Sequence, residues 1–353
     1  MARHSIKGFD WIAGWAPAGF LGFGLAVGIS LALACFTLHC YAGTNQKVVP
    51  SVSLEIRPNP SKRVLVFPRD YNVGEILISP DAYSTPEKSL TGPAQGTVVV
   101  PAGKFVTFIP GRRFFQNPKV INNLPVDGID CVEINFFSMA DSEDGLCDKA
   151  VLLLSHLKGL QKLDLDKSET SDNALACVKD MPNLQMISGF ETVFEGKFFK
   201  QLANLQQLHI VRMPCSNITE ESIAYISCLP HLRSLNLAHS NITDQGVKNL
   251  AACKELIYLN LEDNPKITDK SIKSLLGLKS LRNLIVGNTA MTNPGVLQLK
   301  DLPLAELTIP RFVHTDKQME AIHKALPGVL LSLPRGGDHS VDPETKTIYA
   351  PLH

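Results

Sequence analysis

Residues Leu232–Asp269 read LRSLNLAHSNITDQGVKNLAACKELIYLNLEDNPKITD, and this stretch decides the fold. It holds two copies of one pattern, in which LxxLxL is followed after a short gap by Ile-Thr-Asp. The leucines of each copy fit a short strand with one buried face, and the apolar residues after Ile-Thr-Asp are spaced as in a helix. A strand and a helix that recur as one unit predict a repeat protein.

The LxxLxL pattern continues on both sides of this stretch. Its first positions fall at Ile129, Leu160, Leu184, Leu205, Leu232, Leu256, Leu281 and Leu304. The steps between them are 31, 24, 21, 27, 24, 25 and 23 residues, with the fourth copy read as Leu205-Leu208-Ile210. A last strand is expected at residues 329–333. Because one such unit cannot bury its leucines alone, the copies are expected to stack into a solenoid.

A second signature lies at a fixed distance after each strand. Each copy places a threonine before Asp, Glu or Asn and ahead of a helical pattern, at Thr219, Thr243, Thr268, Thr292 and Thr315. A threonine hydroxyl accepts a hydrogen bond from an unpaired N–H of the first helical turn, so these threonines are predicted N-caps. The acidic residue beside the cap favours the positive end of the helix dipole.

The two signatures resemble leucine-rich repeats of the cysteine-containing class, which also occur in F-box substrate receptors. The region from Gly96 to Ile129 is similar to the entry region of leucine-rich-repeat proteins of planctomycete-type bacteria, most of them exported or membrane-anchored. The resemblance implies an α/β solenoid with a parallel sheet on its concave face and helices on its convex face. No F-box-like helical region precedes the repeats, which disfavours a ubiquitin-ligase-type receptor.

The N-terminal segment has the composition of a membrane anchor. Residues 11–46 contain no Asp, Glu, Lys or Arg, and Phe20–Leu38 supplies 19 mostly apolar residues, close to the ~20 that span a bilayer. Arg3 and Lys7 precede the segment, so the positive-inside bias predicts a cytoplasmic N-terminus and an extracytoplasmic repeat domain. The alternative is a signal peptide cleaved after Ala34 or Ala42, followed by secretion.

The sequence therefore predicts five parts. Residues 1–43 are assigned to the cytoplasmic N-terminus and a transmembrane helix, with membrane contact through residues 11–42. A linker at 44–60 leads to a β-rich N-terminal cap at 61–128, where four apolar runs are read as strands. The repeat domain covers 129–335, and a tail covers 336–353.

A binding surface is expected where the x positions of LxxLxL face outward along the sheet. Their columns offer polar and aromatic side chains in the middle repeats, and tyrosine and arginine are frequent in binding hot spots. The predicted binding residues are His209, Arg212, Asn236, His239, Tyr258, Asn260 and Asp263. The alternative for each residue is an ordinary solvated position.

Other classes of site find no support in the sequence. Motifs of hydrolases, phosphate-binding loops and zinc proteases are absent, so no catalytic residue, no cofactor and no metal site is predicted. The 34 basic and 34 acidic residues balance, which gives no reason to expect nucleic-acid binding. The eight cysteines show no CxxC spacing, and Cys228 and Cys253 are predicted to be buried free thiols.

The resulting prediction is a non-enzymatic, membrane-tethered protein that binds a protein or peptide partner through its concave face. The alternative is a structural or spacer protein of the cell envelope without a specific ligand. The oligomeric state does not follow from the sequence.

Overall fold

The computed structural model describes residues 56–334, apart from residues 83, 85–87, 228, 230 and 311–314. The predicted anchor, most of the linker, and the tail from residue 336 lie outside the described residues. Among the helices of the described part, none is both long enough and apolar enough to span a bilayer.

One sheet of twelve strands runs through the described chain, and a separate two-stranded ribbon flanks it. The strands are β1 (Arg63–Val66), β2 (Gly74–Ser79), β3 (Leu90–Pro93), β4 (Thr97–Val100), β5 (Phe105–Pro110), β6 (Cys131–Glu133), β7 (Lys162–Asp164), β8 (Met186–Ser188), β9 (Ile210–Arg212), β10 (Ser234–Asn236), β11 (Tyr258–Asn260), β12 (Asn283–Ile285), β13 (Glu306–Thr308) and β14 (Leu330–Ser332). From β5 to β14 neighbouring strands pair in parallel, whereas β2 pairs antiparallel with β3 and β5.

Each repeat strand is three residues long, and its middle residue points into the core. Leu235, Leu259 and Leu284 are paired across consecutive strands, and all three are fully buried. Identical positions of successive repeats thus fill one continuous interior, as stacking requires. The parallel ladder of leucine-rich units predicted from the sequence is confirmed for the described residues.

The residues that occupy the LxxLxL positions in one repeat were predicted wrongly. Val211, not Leu208, pairs with Leu235, so the fourth unit reads Leu208-Val211-Met213 rather than Leu205-Leu208-Ile210. With Leu208 as the first position, the neighbouring steps of 21 and 27 residues become 24 and 24. The error arose because Leu205 and Leu208 are both buried, and each fits the first position of the motif.

The helices form the other side of the units. They are α1 (Arg112–Gln116), α2 (Leu146–Leu153), α3 (Phe199–Leu202), α4 (Glu220–Ile226), α5 (Asp244–Leu250), α6 (Ile272–Leu275), α7 (Asn293–Gln298) and α8 (Asp316–Ala325), with 3-10 turns at Pro118–Asn123, Asp141–Glu143, Leu154–His156, Ala174–Asp180, Asp269–Ser271 and Leu299–Asp301. All five predicted threonine caps are confirmed, since each side chain accepts a hydrogen bond from a backbone N–H of the first turn.

The acidic residue after the cap has a role that the sequence did not reveal. Asp244 accepts hydrogen bonds from the N–H (2.8 Å) and the hydroxyl (2.7 Å) of Thr268 in the next repeat. Asp269 binds the N–H and hydroxyl of Thr292 in the same way. Each carboxylate therefore joins the cap of its own helix to the cap of the following one.

The cap region at the N-terminal end of the ladder is tied to the first repeat by a buried ion pair. Nη1 of Arg63 in β1 lies 2.9 Å from Oδ2 of Asp130, and both side chains are almost fully buried. The same carboxylate accepts the N–H of Val106 in β5. Burial raises the pKa of Asp130, while the Arg63 charge opposes that rise. Loss of either partner would leave a buried charge uncompensated.

The described cysteines, Cys131, Cys147, Cys177, Cys215 and Cys253, are thiols. Cys253 is buried, as predicted. Cys228 lies outside the described residues.

Candidate interaction surface

Two columns of side chains face outward on the concave side of the ladder. The leading column, one residue before each middle position, contains Cys131, Lys162, Met186, Ile210, Ser234, Tyr258, Asn283, Glu306 and Leu330. The trailing column, one residue after it, contains Glu133, Asp164, Ser188, Arg212, Asn236, Asn260, Ile285, Thr308 and Ser332. Neighbours within a column are ~4.8 Å apart because that is the strand spacing.

The N-terminal half of the leading column is buried, and it is apolar except for Lys162. Cys131, Met186 and Ile210 form a small cluster with Phe105 and with Ile56 from the segment before β1. This cluster is separate from the main core. The beginning of the described chain therefore covers part of the concave side, and that half offers little accessible surface.

One lysine lies enclosed within the same half. Nζ of Lys162 is 3.7 Å from a carboxylate oxygen of Glu133 and 3.7 Å from one of Asp164. Burial raises the pKa of Asp164 to about 6, while the charge of Lys162 opposes the rise. The positive charge of Lys162 is paired with two carboxylates within the fold, so it is not available to a partner.

The C-terminal half is mostly polar, and Asn236, Tyr258, Asn283 and Glu306 are half-buried there, whereas Asn260 is buried. We call the set Arg212, Asn236, Tyr258, Asn260, Asn283 and Glu306 the C-terminal concave patch. Several of its side chains are held in place by hydrogen bonds. Asn236 accepts the N–H of Ala238 (3.0 Å), and Asn283 donates to Oε2 of Glu306 (2.7 Å). A preformed polar surface of this kind loses little side-chain entropy when a partner binds.

Tyr258 lies near the middle of the patch. Burial raises the pKa of its hydroxyl, while the charge of Arg212 and a hydrogen bond with Asn260 oppose the rise. The carboxylates of Glu262 and Glu306 also raise this pKa. Opposite charges therefore act on one aromatic side chain.

Because the fourth repeat reads Leu208-Val211-Met213, two predicted site residues lie at other positions than expected. His209 precedes β9 and is not on the strand face, and its ring nitrogen Nδ1 is 3.1 Å from the carbonyl oxygen of His231. Arg212 belongs to the trailing column beside Asn236, not to the column beyond the strands. The structure brings Arg212, Asn236, Tyr258 and Asn260 together and leaves His209 apart.

His239 and Asp263 lie at the rim, just past the ends of their strands. Both have left-handed backbone conformations, with φ of 51° and 56°, as do Lys167, Glu191, Cys215 and Asn288 in neighbouring repeats. The N–H of each residue is bonded to the following repeat, for example from His239 to the carbonyl of Glu262 at 2.8 Å. The ladder thus compensates a conformation that is costly for a non-glycine residue.

The sequence did not predict the positions of two residues, one at the rim and one on a strand. Cys215, not Arg212, occupies the rim position between Glu191 and His239. Ile210 faces the concave side instead of the core. The uneven steps of 21 and 27 residues were the signal that the frame was shifted by three residues.

A hollow of about 220 Å³ lies away from the concave side, and Cys147, Asp148 and Glu169 are among its lining residues. Burial raises the pKa of the Cys147 thiol to about 12, and the thiol lies 3.1 Å from the hydroxyl of Thr170. The thiol is therefore protonated at neutral pH and is a poor nucleophile. Of the carboxylates that line the hollow, Asp148 accepts a hydrogen bond from the hydroxyl of Ser171, and Glu169 accepts one from the hydroxyl of Ser138.

Comparison with known proteins supports the repeat assignment. Residues 230–291 match the family model described as "Leucine rich repeat". No curated protein matches the chain. Similar solved structures include an internalin of Listeria monocytogenes (17% identity, TM-score 0.43, 62% of this chain and 71% of the internalin) and an internalin C2 of the same species (18% identity, TM-score 0.41, 63% and 92%). The matched segment carries β10, β11 and β12, so the repeats within residues 230–291 match the leucine-rich repeat in sequence.

Proposed function

We propose that the chain is a non-enzymatic interaction protein that binds a protein or peptide partner through the C-terminal concave patch. The observation that carries this proposal is the contrast between the two halves of the concave side. One half is apolar and covered, whereas the other presents polar side chains with fixed orientations. Leucine-rich repeats in general support such a role because their concave sheet is a rigid, extended surface.

Rim residues are included in the proposed interface. Asp263 accepts a hydrogen bond from Asn288 (2.7 Å), and His239 is exposed beside it. His209 is not part of the interface that we propose, because it precedes β9 and lies at the opposite end of its strand from the rim residues.

A photo-crosslinking experiment tests the binding role. A photoreactive phenylalanine analogue is placed at Tyr258 in the patch or at Tyr225 in α4, which serves as the matched control. We expect saturable crosslinks to a partner from position 258 and none from position 225. Charge reversal by Arg212→Glu should weaken the crosslink at least tenfold, whereas Lys248→Glu in α5 should leave it unchanged.

Equal crosslinking from both tyrosine positions would contradict the proposal. Absence of any saturable partner in native membranes would favour the alternative of a structural or spacer protein.

We also propose that residues 11–42 tether the protein to a membrane as a single-pass anchor, with the repeats outside the cytoplasm. The charge-free run and the preceding Arg3 and Lys7 support this orientation. Protease added to intact cells should digest the repeat domain. Full protection of that domain until the membrane is permeabilised would contradict the orientation, and release of the domain into the medium would favour signal cleavage.

The finer family assignment is likewise a proposal. It rests on the entry region 96–129, which resembles exported or membrane-anchored leucine-rich-repeat proteins of planctomycete-type bacteria. The cysteine-containing class is supported by the Ile-Thr-Asp signature. However, the buried position that takes Asn or Cys in such repeats holds Ser168, Thr192, Ser216, Ser240, Asn264 and Thr289 here.

A further inference from the structure

The chain turns back after its last strand. β14 ends at Ser332, and Pro334 then packs against Gly287, which follows β12 two strands earlier. The approach is close, because a Cβ atom added at Gly287 would lie 2.6 Å from Cγ of Pro334. Pro334 is buried at this contact. The described chain therefore ends displaced from the edge of the ladder toward its middle.

This end point lies beside the C-terminal concave patch. Gly287 comes two residues after Ile285 of the trailing column, and a Cβ at Gly287 would be 3.0 Å from Oε1 of Glu262. The 19 residues from Arg335 to His353 continue from here. β12 and β9 are three strand spacings apart, ~14 Å. Extended chain advances ~3.3 Å per residue, so a segment of about five residues covers that distance.

The sequence of the tail complements the charge at the far end of the patch. Asp338 lies four residues after Pro334, and Asp342 and Glu344 lie further along the tail, so the chain is long enough to bring a carboxylate to Arg212. In the described part of the two concave columns the basic residues are Lys162 and Arg212, and Lys162 is enclosed by Glu133 and Asp164. Arg212 is half-buried, and no carboxylate of a described residue lies within 4.0 Å of it.

We propose that residues 335–353 occupy the C-terminal concave patch of their own chain, with a carboxylate of the 338–344 stretch bound to Arg212. The tail then competes with the partner inferred above, and in this respect the proposal rests on the proposed function. It also specifies the partner's chemistry. A partner that displaces the tail presents a carboxylate to Arg212.

Carbodiimide crosslinking of the full-length chain tests this placement. The reagent joins a lysine amine to a carboxylate in contact with it, so the test protein carries Arg212→Lys, which keeps the positive charge. We expect an intramolecular crosslink between position 212 and Asp338, Asp342 or Glu344, identified by mass spectrometry of the digested monomer. The triple variant Asp338→Asn, Asp342→Asn and Glu344→Gln should abolish it.

The chain contains its own controls. Lys167 and Glu191 form an ion pair at 3.8 Å and should crosslink in every sample, which shows that the reaction worked. Lys248 is exposed on α5, on the convex side, and should not crosslink to the tail. If the Lys167–Glu191 product forms without any product between position 212 and the tail, the proposal is overturned. Equal crosslinking of the tail to Lys248 overturns it as well.

The result is independent of any external partner. Competition is then measured with the triple variant, which should bind the partner several-fold more tightly than the unmodified chain. If the tail crosslink formed but no partner could be detected, the result would support the proposed position of the tail and contradict the proposed function. If the triple variant and the unmodified chain bound the partner equally tightly, the proposed competition between tail and partner would be contradicted.

Discussion

The repeats before and after Thr219 are built differently. From Thr219 onward the helical segment of each unit starts at a threonine whose hydroxyl accepts a backbone N–H, and leucines fill the interior. In the unit of α6 the capped segment is the 3-10 turn Asp269–Ser271, which leads directly into that helix. Before it, α2, α3 and the turn at Ala174–Asp180 have no side-chain cap. There the buried rings of Phe194, Phe198 and Phe199 fill the interior. Helices without caps therefore depend more on tertiary packing.

The same division appears on the concave side. The uncapped half carries a buried apolar cluster around Met186 and Ile210, whereas the capped half carries the polar patch except for Arg212. Arg212 lies with Ile210 on β9, at the boundary between the halves. The regular repeats thus provide the surface that we assign to binding. The irregular repeats join the solenoid to its N-terminal cap.

The largest expected effect comes from removing a ring in the uncapped half. Phe199 is fully buried in the short helix α3, so Phe199→Ala should lower the free energy of unfolding by about 3–5 kcal/mol. Leu250→Ala in the capped helix α5 should cost about 2–4 kcal/mol. Urea unfolding followed by circular dichroism measures both. If Phe199→Ala lowered the free energy of unfolding less than Leu250→Ala, the uncapped half would not depend more strongly on tertiary packing than the capped half.

A smaller effect is expected for the carboxylates that join consecutive caps. Asp244→Ala removes three accepted hydrogen bonds, from the N–H and hydroxyl of Thr268 and from the hydroxyl of Ser271, and should cost about 1–2 kcal/mol. Although burial alone would raise the pKa of Asp244, these bonds lower it. The stabilisation should therefore be present at neutral pH and be lost as the carboxylate is protonated in acid.

At Glu220 we expect a substitution to stabilise the protein rather than to destabilise it. It holds the position of Asp244 one repeat earlier, but both of its carboxylate oxygens are buried without a hydrogen-bond partner. Glu220→Asp should shorten the side chain to the length used in the later repeats and raise the melting temperature by a few degrees. A decrease would show that the linkage between caps does not extend to this repeat.

A pH-dependent effect is expected at Asp164 in the covered half. Burial raises the pKa of this carboxyl to about 6, above the usual value of about 3.9. The folded state then binds the proton more readily than the unfolded state, so stability falls as the pH rises through about 6. Asp164→Asn should therefore gain stability relative to the unmodified chain as the pH rises from about 4 to about 6. Asp180→Asn, at an exposed position, should show no such step.

The sequence predicted most of what local chemistry controls. The five threonine caps and the strand positions follow from residues whose physical role is the same wherever they occur. The LxxLxL positions of the fourth repeat could not be assigned in this way, because Leu205-Leu208-Ile210 and Leu208-Val211-Met213 both satisfy the local pattern. Contacts between distant residues, such as Ile56 on the concave side or Pro334 on Gly287, also leave no local trace. These contacts decide which part of the candidate surface is accessible.

Gly189 shows how a weak copy of the motif is accommodated. It stands where most other repeats have a leucine, isoleucine or valine, and a Cβ atom there would lie 2.7 Å from the ring of Phe194 and 2.8 Å from the sulfur of Met213. The ring occupies the volume that a larger side chain would need. In related sequences the two sites should therefore vary together. A lineage that regains leucine at position 189 is expected to carry a small residue at position 194, and either change alone should be rare.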